Sequence, residues 1–178
     1  MQRIERTFAG RRLVIETGRM AKQAAGSAVV QYGETMVLAA VTVSDTESPL
    51  PFFPLLVEYK DKAYAAGKIP GGFIKREGRP SDPEILKARI IDRSIRPLFP
   101  EGFKNEIQVF IYVISADQEN DADVMPLVAA SYALNAPKIP FMGPDAAVRG
   151  APVQDMWSLT PPFQHPPYTD MHTAPPPP

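Results

Sequence analysis

Residues Gly67 to Phe103 read GKIPGGFIKREGRPSDPEILKARIIDRSIRPLFPEGF and combine dense structural punctuation with an excess of positive charge. In the first half, Pro70, Gly71, Gly72, Gly78 and Pro80 interrupt any regular element and predict an irregular loop. The second half opens on Ser81-Asp82-Pro83-Glu84. That is the pattern of a capping box, with Ser81 as N-cap, Pro83 in the first turn and Glu84 reaching back. The helix begun there must end at Pro97 and Pro100. Within it Ile85, Ala88, Ile91, Ile95 and Leu98 keep helical spacing and are expected to face a core. Arg89, Arg93 and Arg96 recur at i, i+4 and i+7 on another face.

Between Gly67 and Pro100 the basic residues Lys68, Lys75, Arg76, Arg79, Lys87, Arg89, Arg93 and Arg96 stand against Glu77, Asp82, Glu84 and Asp92, in a chain whose net charge is −1. The local excess calls for an anionic partner. Arginine suits that role because its planar fork grips phosphate oxygens in pairs and keeps its charge. Phe73 at the loop tip adds a surface on which a base can stack. Cations and aromatics on one loop are a recipe for holding single-stranded nucleic acid without reading its sequence. The candidate nucleic-acid-binding residues are therefore Phe73, Lys75, Arg76, Arg79, Arg89, Arg93 and Arg96. A competing reading is a solvated basic helix whose arginines pair with nearby acids. A nucleotide-binding P-loop is excluded: Gly67 and Gly72 have the spacing, but Phe73-Ile74 occupy the Lys-Ser/Thr positions.

Upstream, Leu13-Val14-Ile15, Ala28-Val29-Val30 and Thr35 to Val43 read as strands of an antiparallel meander. Met36 to Val41 is apolar enough to predict burial on both faces. A proline-rich loop over 46–54 leads to a strand from Leu55 to Tyr59. Downstream, Ile107 to Ile114 is a strand, and Val124 to Asn135 an alanine-rich helix that stops before Pro137. Ser115 to Asp123 alternates acids, yet Ala122 and Val128 occupy the glycine and glutamate positions that a calcium loop requires. Asp121 or Asp123 is instead expected to cap the following helix. The fold class is α+β, a mixed sheet packed with helices.

The run AAGKIPGGFIKREGRPSDPEILKARIIDRSIRPLFPEGF, with RTFAGRRLVIETGRMAKQAAGSAVVQYGETMVLAAV and VISADQENDADVMPLVAASYAL, closely resembles the first RNase PH-like core domain of bacterial polynucleotide phosphorylases, the polyribonucleotide nucleotidyltransferases. Residues 1–149 are expected to form that domain, incomplete at its C-terminal end. Residues 150–178, with Pro152, Pro161, Pro162, Pro166, Pro167 and Pro175 to Pro178, are expected to be a disordered and unrelated tail. Such a tail fits a scar of truncation or a shifted frame better than a polyproline ligand.

The resemblance implies a phosphate-dependent 3′-to-5′ exoribonuclease of mRNA degradation. Its loop, here Phe73-Ile74-Lys75-Arg76 where the family more often has Phe-Phe-Arg-Arg, lines the constriction of a homotrimeric ring and holds the entering RNA. The ring joins RNA-degradation assemblies. Magnesium and inorganic phosphate belong to a second core that this sequence lacks, so no catalytic or metal residue and no cofactor is assigned here. The alternative is a catalytically silent RNA-binding fragment or interaction module.

Composition agrees with this and narrows the chemistry. With 178 residues, 44% of them hydrophobic, the chain suffices for one domain with a core. It has no cysteine, and its two histidines, His165 and His172, lie in the tail. The body therefore has no imidazole or thiol from which to build a nucleophilic triad. No apolar run approaches the ~20 residues of a membrane span, so a soluble, cytoplasmic protein is expected.

Overall fold

The structure, a computed structural model, describes residues 1–73, 75–117, 119–120, 122–137, 139–153, 156–159 and 171–173; from residue 151 on it describes the backbone alone. In chain order the elements are β1 (Gln2–Phe8), β2 (Arg11–Thr17), β3 (Gly26–Tyr32), β4 (Thr35–Glu47), β5 (Leu55–Asp61), α1 (Asp82–Ile95), β6 (Asn105–Ser115), α2 (Met125–Asn135), β7 (Ala147–Val153), β8 (Met156–Leu159) and β9 (Met171–Thr173). The first six strands form one sheet in the order β1-β2-β3-β4-β6-β5.

Neighbours run antiparallel from β1 to β4 and on to β6, as a meander should. The exception is β5, which lies parallel to β6. Parallel neighbours need a long crossover, and the segment from 62 to 104, with its loop and α1, supplies it. The glycine-rich loop is thus fixed between the C-terminal end of β5 and the start of α1.

Both helices cover one face of the sheet, α2 against β3, β4 and β6 and α1 against β5. The core between them holds Val30, Val37, Ala39, Val41, Tyr59, Ile91, Ile95, Ile107, Val109 and Ile111. Each such aliphatic side chain contributes roughly 1.5–3 kcal/mol on burial. Fully buried Ala129, Ala130 and Ala133 let α2 approach closely. At Gly26 the approach is closest, and an added Cβ would overlap the Ala133 carbonyl.

Three expectations change. Met36–Val41 is not buried on both faces: Val37, Ala39 and Val41 are fully buried, whereas Met36, Leu38 and Ala40 on the other face are only half-buried, because no helix lies over them. Ile85 is 45% exposed, and its place at the head of the buried stripe is taken by Glu84, at 7%. Finally, β1 extends the sheet beyond the first strand that the sequence suggested.

The tail also departs from expectation. β7 pairs with β8 through Gly150↔Leu159 to Val153↔Met156, and with β9 through Ala147↔Thr173 to Arg149↔Met171. Pro152 is compatible with this because it lies beyond the three residues that β9 pairs, so only one of its sides is in a ladder. Pro161, Pro162, Pro166, Pro167 and Pro175 to Pro178 lie outside the described residues.

Candidate nucleic-acid interface

The loop over 67–80 is pinned at its ends and open at its tip. Gly67 closes the preceding 3-10 turn (Ala63–Ala66) in the left-handed conformation, φ 67°, and donates its N–H to the Ala63 and Tyr64 carbonyls. Glycine suits that position because a Cβ would be strained there. Further on, Glu77 accepts the Ala63 N–H at 2.9 Å and the Lys62 ammonium at 3.0 Å. Those two donors, the backbone one first, hold its carboxyl below the usual range. Lys60 donates to the Gly78 carbonyl at 2.9 Å.

The helix start is tied into the same region. Glu84 accepts the Ser81 N–H at 2.6 Å and the Ser81 hydroxyl at 2.9 Å, which is the reach-back half of the predicted capping box. Its other oxygen accepts the Asp61 N–H at 2.8 Å, joining the head of α1 to the end of β5. Burial alone would raise the Glu84 pKa, but these three donors outweigh it and lower it.

Between the pins the chain projects outward. Phe73 is completely exposed, Ile69 is 81% exposed, and Lys75, Arg76 and Arg79 are exposed as well. Among the described residues none of these three cations has an ion pair. Ile74 lies outside the described residues. The loop therefore presents an aromatic ring and three positive charges on a segment whose ends cannot wander, the arrangement that binds phosphate and base together.

The helix arginines divide. Arg89 and Arg93 are exposed, on the side of α1 turned away from Ile91 and Ile95, beside exposed Ile85, Leu86 and Ile90. Arg96 is used internally. Its guanidinium makes a fork with Asp92 at 3.1 and 2.6 Å, donates to the Phe53 and Leu55 carbonyls at 3.1 and 3.3 Å, and lies 5.8 Å from the Phe53 ring centroid. Arg96 thus clasps the end of α1 to the start of β5, and its charge is already matched. The even i, i+4, i+7 spacing hides this difference, although Asp92 stands four residues before Arg96.

Sequence reasoning passed over Lys60, Lys62 and Tyr112. Lys62 lies 4.6 Å from the Tyr112 ring centroid while bound to Glu77. The i, i+2 spacing of Lys60 and Lys62 on a strand end next to the loop was the available signal. The expected capping of α2 is also corrected: its N-cap is Val124 with no side-chain cap bond, and Asp123 instead binds Lys87 at 2.8 Å and Arg149 at 3.5 Å. Asp121 lies outside the described residues.

A separate cavity of about 230 Å³ lies between β1 to β3, α2 and β7, walled by apolar groups such as Phe8, Leu13, Tyr32, Met125 and Val128. Its polar members are Arg11 and Asn120, bonded to each other, and Asp123 and Arg149, an ion pair at 3.5 Å. Among the described residues no three His, Cys, Asp or Glu side chains gather as metal ligands. Among those residues no helix is long and apolar enough to cross a membrane.

The architecture is an α+β domain, a mixed six-stranded sheet that carries a basic, aromatic-tipped loop between β5 and α1. Residues 9–140 match the model of the RNase PH family, described as 3′ exoribonuclease family, domain 1, and the chain belongs to that family. It is 80% identical over 171 residues to a polyribonucleotide nucleotidyltransferase of Gemmatimonas aurantiaca, covering 96% of this chain and 23% of that protein. With the Halalkalibacterium halodurans polyribonucleotide nucleotidyltransferase it is 50% identical over 165 residues, covering 93% of this chain and 23% of the relative. The chain thus spans about a quarter of the length of these curated relatives. A match of 171 residues cannot end at Arg149, so likeness to the Gemmatimonas protein runs into the segment expected to be unrelated. Among solved structures, a chain of an Archaeoglobus fulgidus exosome with RNA bound to the active site superposes with a TM-score of 0.61. At 22% identity, covering 89% of this chain and 67% of that one, it shows the shared RNase PH-like fold.

Proposed function

We propose that this chain is the RNA-guiding part of a phosphate-dependent 3′-to-5′ exoribonuclease acting in mRNA degradation, with the 67–80 loop as its grip. The observation that carries this reading is the contrast along the loop: its bases are pinned by Glu77, Lys60 and Glu84, and its tip offers Phe73, Lys75, Arg76 and Arg79 to a ligand. Three cations neutralise successive phosphates while the ring stacks on a base, so binding tolerates any sequence. Arg89 and Arg93 extend the positive surface along α1. Arg96 acts indirectly by holding the helix end. The relatives' name, polyribonucleotide nucleotidyltransferase, fits the proposed reaction, in which inorganic phosphate attacks the terminal phosphodiester and a nucleoside diphosphate leaves. In this proposal phosphate and magnesium are held by a second core, and the whole protein closes as a homotrimeric ring around the strand.

Fluorescence anisotropy of the 178-residue chain with a labelled single-stranded RNA tests the grip. Affinity should fall in Arg76→Ala/Arg79→Ala, and unchanged binding would sink the loop assignment. Incubated with RNA, phosphate and magnesium, the chain should release no nucleoside diphosphate. Release by protein free of host enzyme would move the reacting groups into this domain.

A further inference from the structure

We infer that the uncovered face of β6, where Phe110 and Tyr112 stand side by side, is a stacking platform for bases of single-stranded RNA that leave the 67–80 loop. This rests on the RNA-guiding reading and extends its contacts from the loop onto the sheet. Phe110 and Tyr112 are two residues apart on one strand, so they share a face, and that face is opposite the one covered by the helices. Their ring centroids are 6.5 Å apart and their planes differ by only 24°. The register places Leu38 and Lys60 beside Tyr112, and Ala40 and Glu58 beside Phe110. Both rings are half-buried, and the side chain beside Phe110 on β4 is the small Ala40. Sheets that bind single-stranded RNA present aromatic residues in this way, and stacking is tolerant of sequence because every base has a π-face.

The platform adjoins the loop. Lys62, whose ammonium lies 4.6 Å from the Tyr112 ring centroid, is the residue that pins Glu77 of the loop, and Lys60 reaches the Gly78 carbonyl. A strand gripped at the loop therefore passes within one lysine's reach of the rings. Its phosphates would compete with Glu77 for Lys62, uncovering the Tyr112 ring for a base. Glu58, and Glu106 further along β6, lie on the same face and repel phosphate, so the backbone should follow the Lys60 and Lys62 side.

The test uses the 178-residue chain with labelled oligoadenylate and oligouridylate. Phe110→Leu/Tyr112→Leu keeps apolar bulk over the sheet but removes the rings, and should weaken binding roughly tenfold with the salt dependence unchanged. Tyr112→Phe should bind as the parent chain does. If the leucine variant melts as the parent does and binds equally well while Arg76→Ala/Arg79→Ala binds weakly, the platform is wrong and the loop stands. If the arginine variant also binds normally, or the parent chain does not bind, both readings fall. Should the leucine variant lose stability, photocrosslinking of 5-bromouridine RNA to the parent chain decides. Adducts at Phe110 or Tyr112 support the platform, and adducts confined to other residues overturn it.

Discussion

Two irregular segments of this chain carry dense charge, the loop over 67–80 and the turn over 116–124, and they spend it in opposite ways. In the turn Asp117, Asn120 and Asp123 are engaged by internal partners. Asp117 accepts the Thr35 hydroxyl at 3.0 Å, the Glu119 and Asn120 N–H groups at 2.9 and 2.8 Å, the Glu34 N–H at 3.2 Å and the Asn120 side-chain amide at 2.5 Å. Asn120 in turn takes Arg11. In the loop, internal donors and acceptors engage only the ends, and Lys75, Arg76 and Arg79 at the tip remain for a ligand. Charge in a sequence becomes a binding surface only where no buried backbone group claims it. The turn is a lock between β4 and β6, and the loop is the proposed grip.

The largest expected effect breaks the lock. Asp117→Ala removes the acceptor of the Glu34, Glu119 and Asn120 N–H groups and leaves the buried Thr35 hydroxyl only the Asn120 carbonyl, and should cost about 3 kcal/mol, since each orphaned buried group costs roughly 1–3 kcal/mol. Denaturant unfolding measures this; a loss below about 1 kcal/mol would mean the turn is not a lock.

Acid should reproduce part of that loss. Burial raises the Asp117 pKa, but its hydrogen bonds outweigh that and bring it from 3.8 to about 2. A carboxyl with a depressed folded pKa contributes stability above its unfolded pKa, and that stability is lost as pH falls from about 4 through 2. About 2 kcal/mol should disappear across this window. Asp117→Asn should flatten the dependence, and an identical acid limb in that variant would assign it elsewhere.

A smaller effect sharpens the contrast between arginines. Arg96→Ala should cost about 1 kcal/mol, discounted because the side chain is 41% exposed, with RNA affinity little changed. Arg89→Ala should leave the melting temperature unchanged and weaken RNA binding slightly. If the two variants exchange phenotypes, the division of the α1 arginines is wrong.

Much of this was legible before the structure. Ser81 to Glu84 marked the head of α1 because a capping box is local chemistry, and Pro97 and Pro100 marked its end. The strands over 26–32, 35–47 and 105–115 followed from runs of branched residues. What escaped was set by tertiary neighbours. Glu84 looked like a helix cap, but the Asp61 N–H also draws it into the buried stripe and leaves Ile85 outside. Arg96 looked equivalent to Arg89 until β5 placed two carbonyls within its reach. Asp123 looked like a cap but met Lys87 and Arg149, residues far away in sequence. The proline count over 150–178 concealed a strand, because Pro152 occupies a position whose second side needs no ladder donor.

The measurement closest to the central claim is the salt dependence of single-stranded RNA binding. For the parent chain the logarithm of affinity should fall steeply and linearly with the logarithm of salt concentration, by about 0.7 for each phosphate neutralised. Arg76→Ala/Arg79→Ala should reduce that slope by about 1.4, with an unchanged melting temperature because neither side chain has an ion pair among the described residues. The same slope in parent and variant, at equal stability, would contradict the account: the loop would then not be where this domain holds RNA.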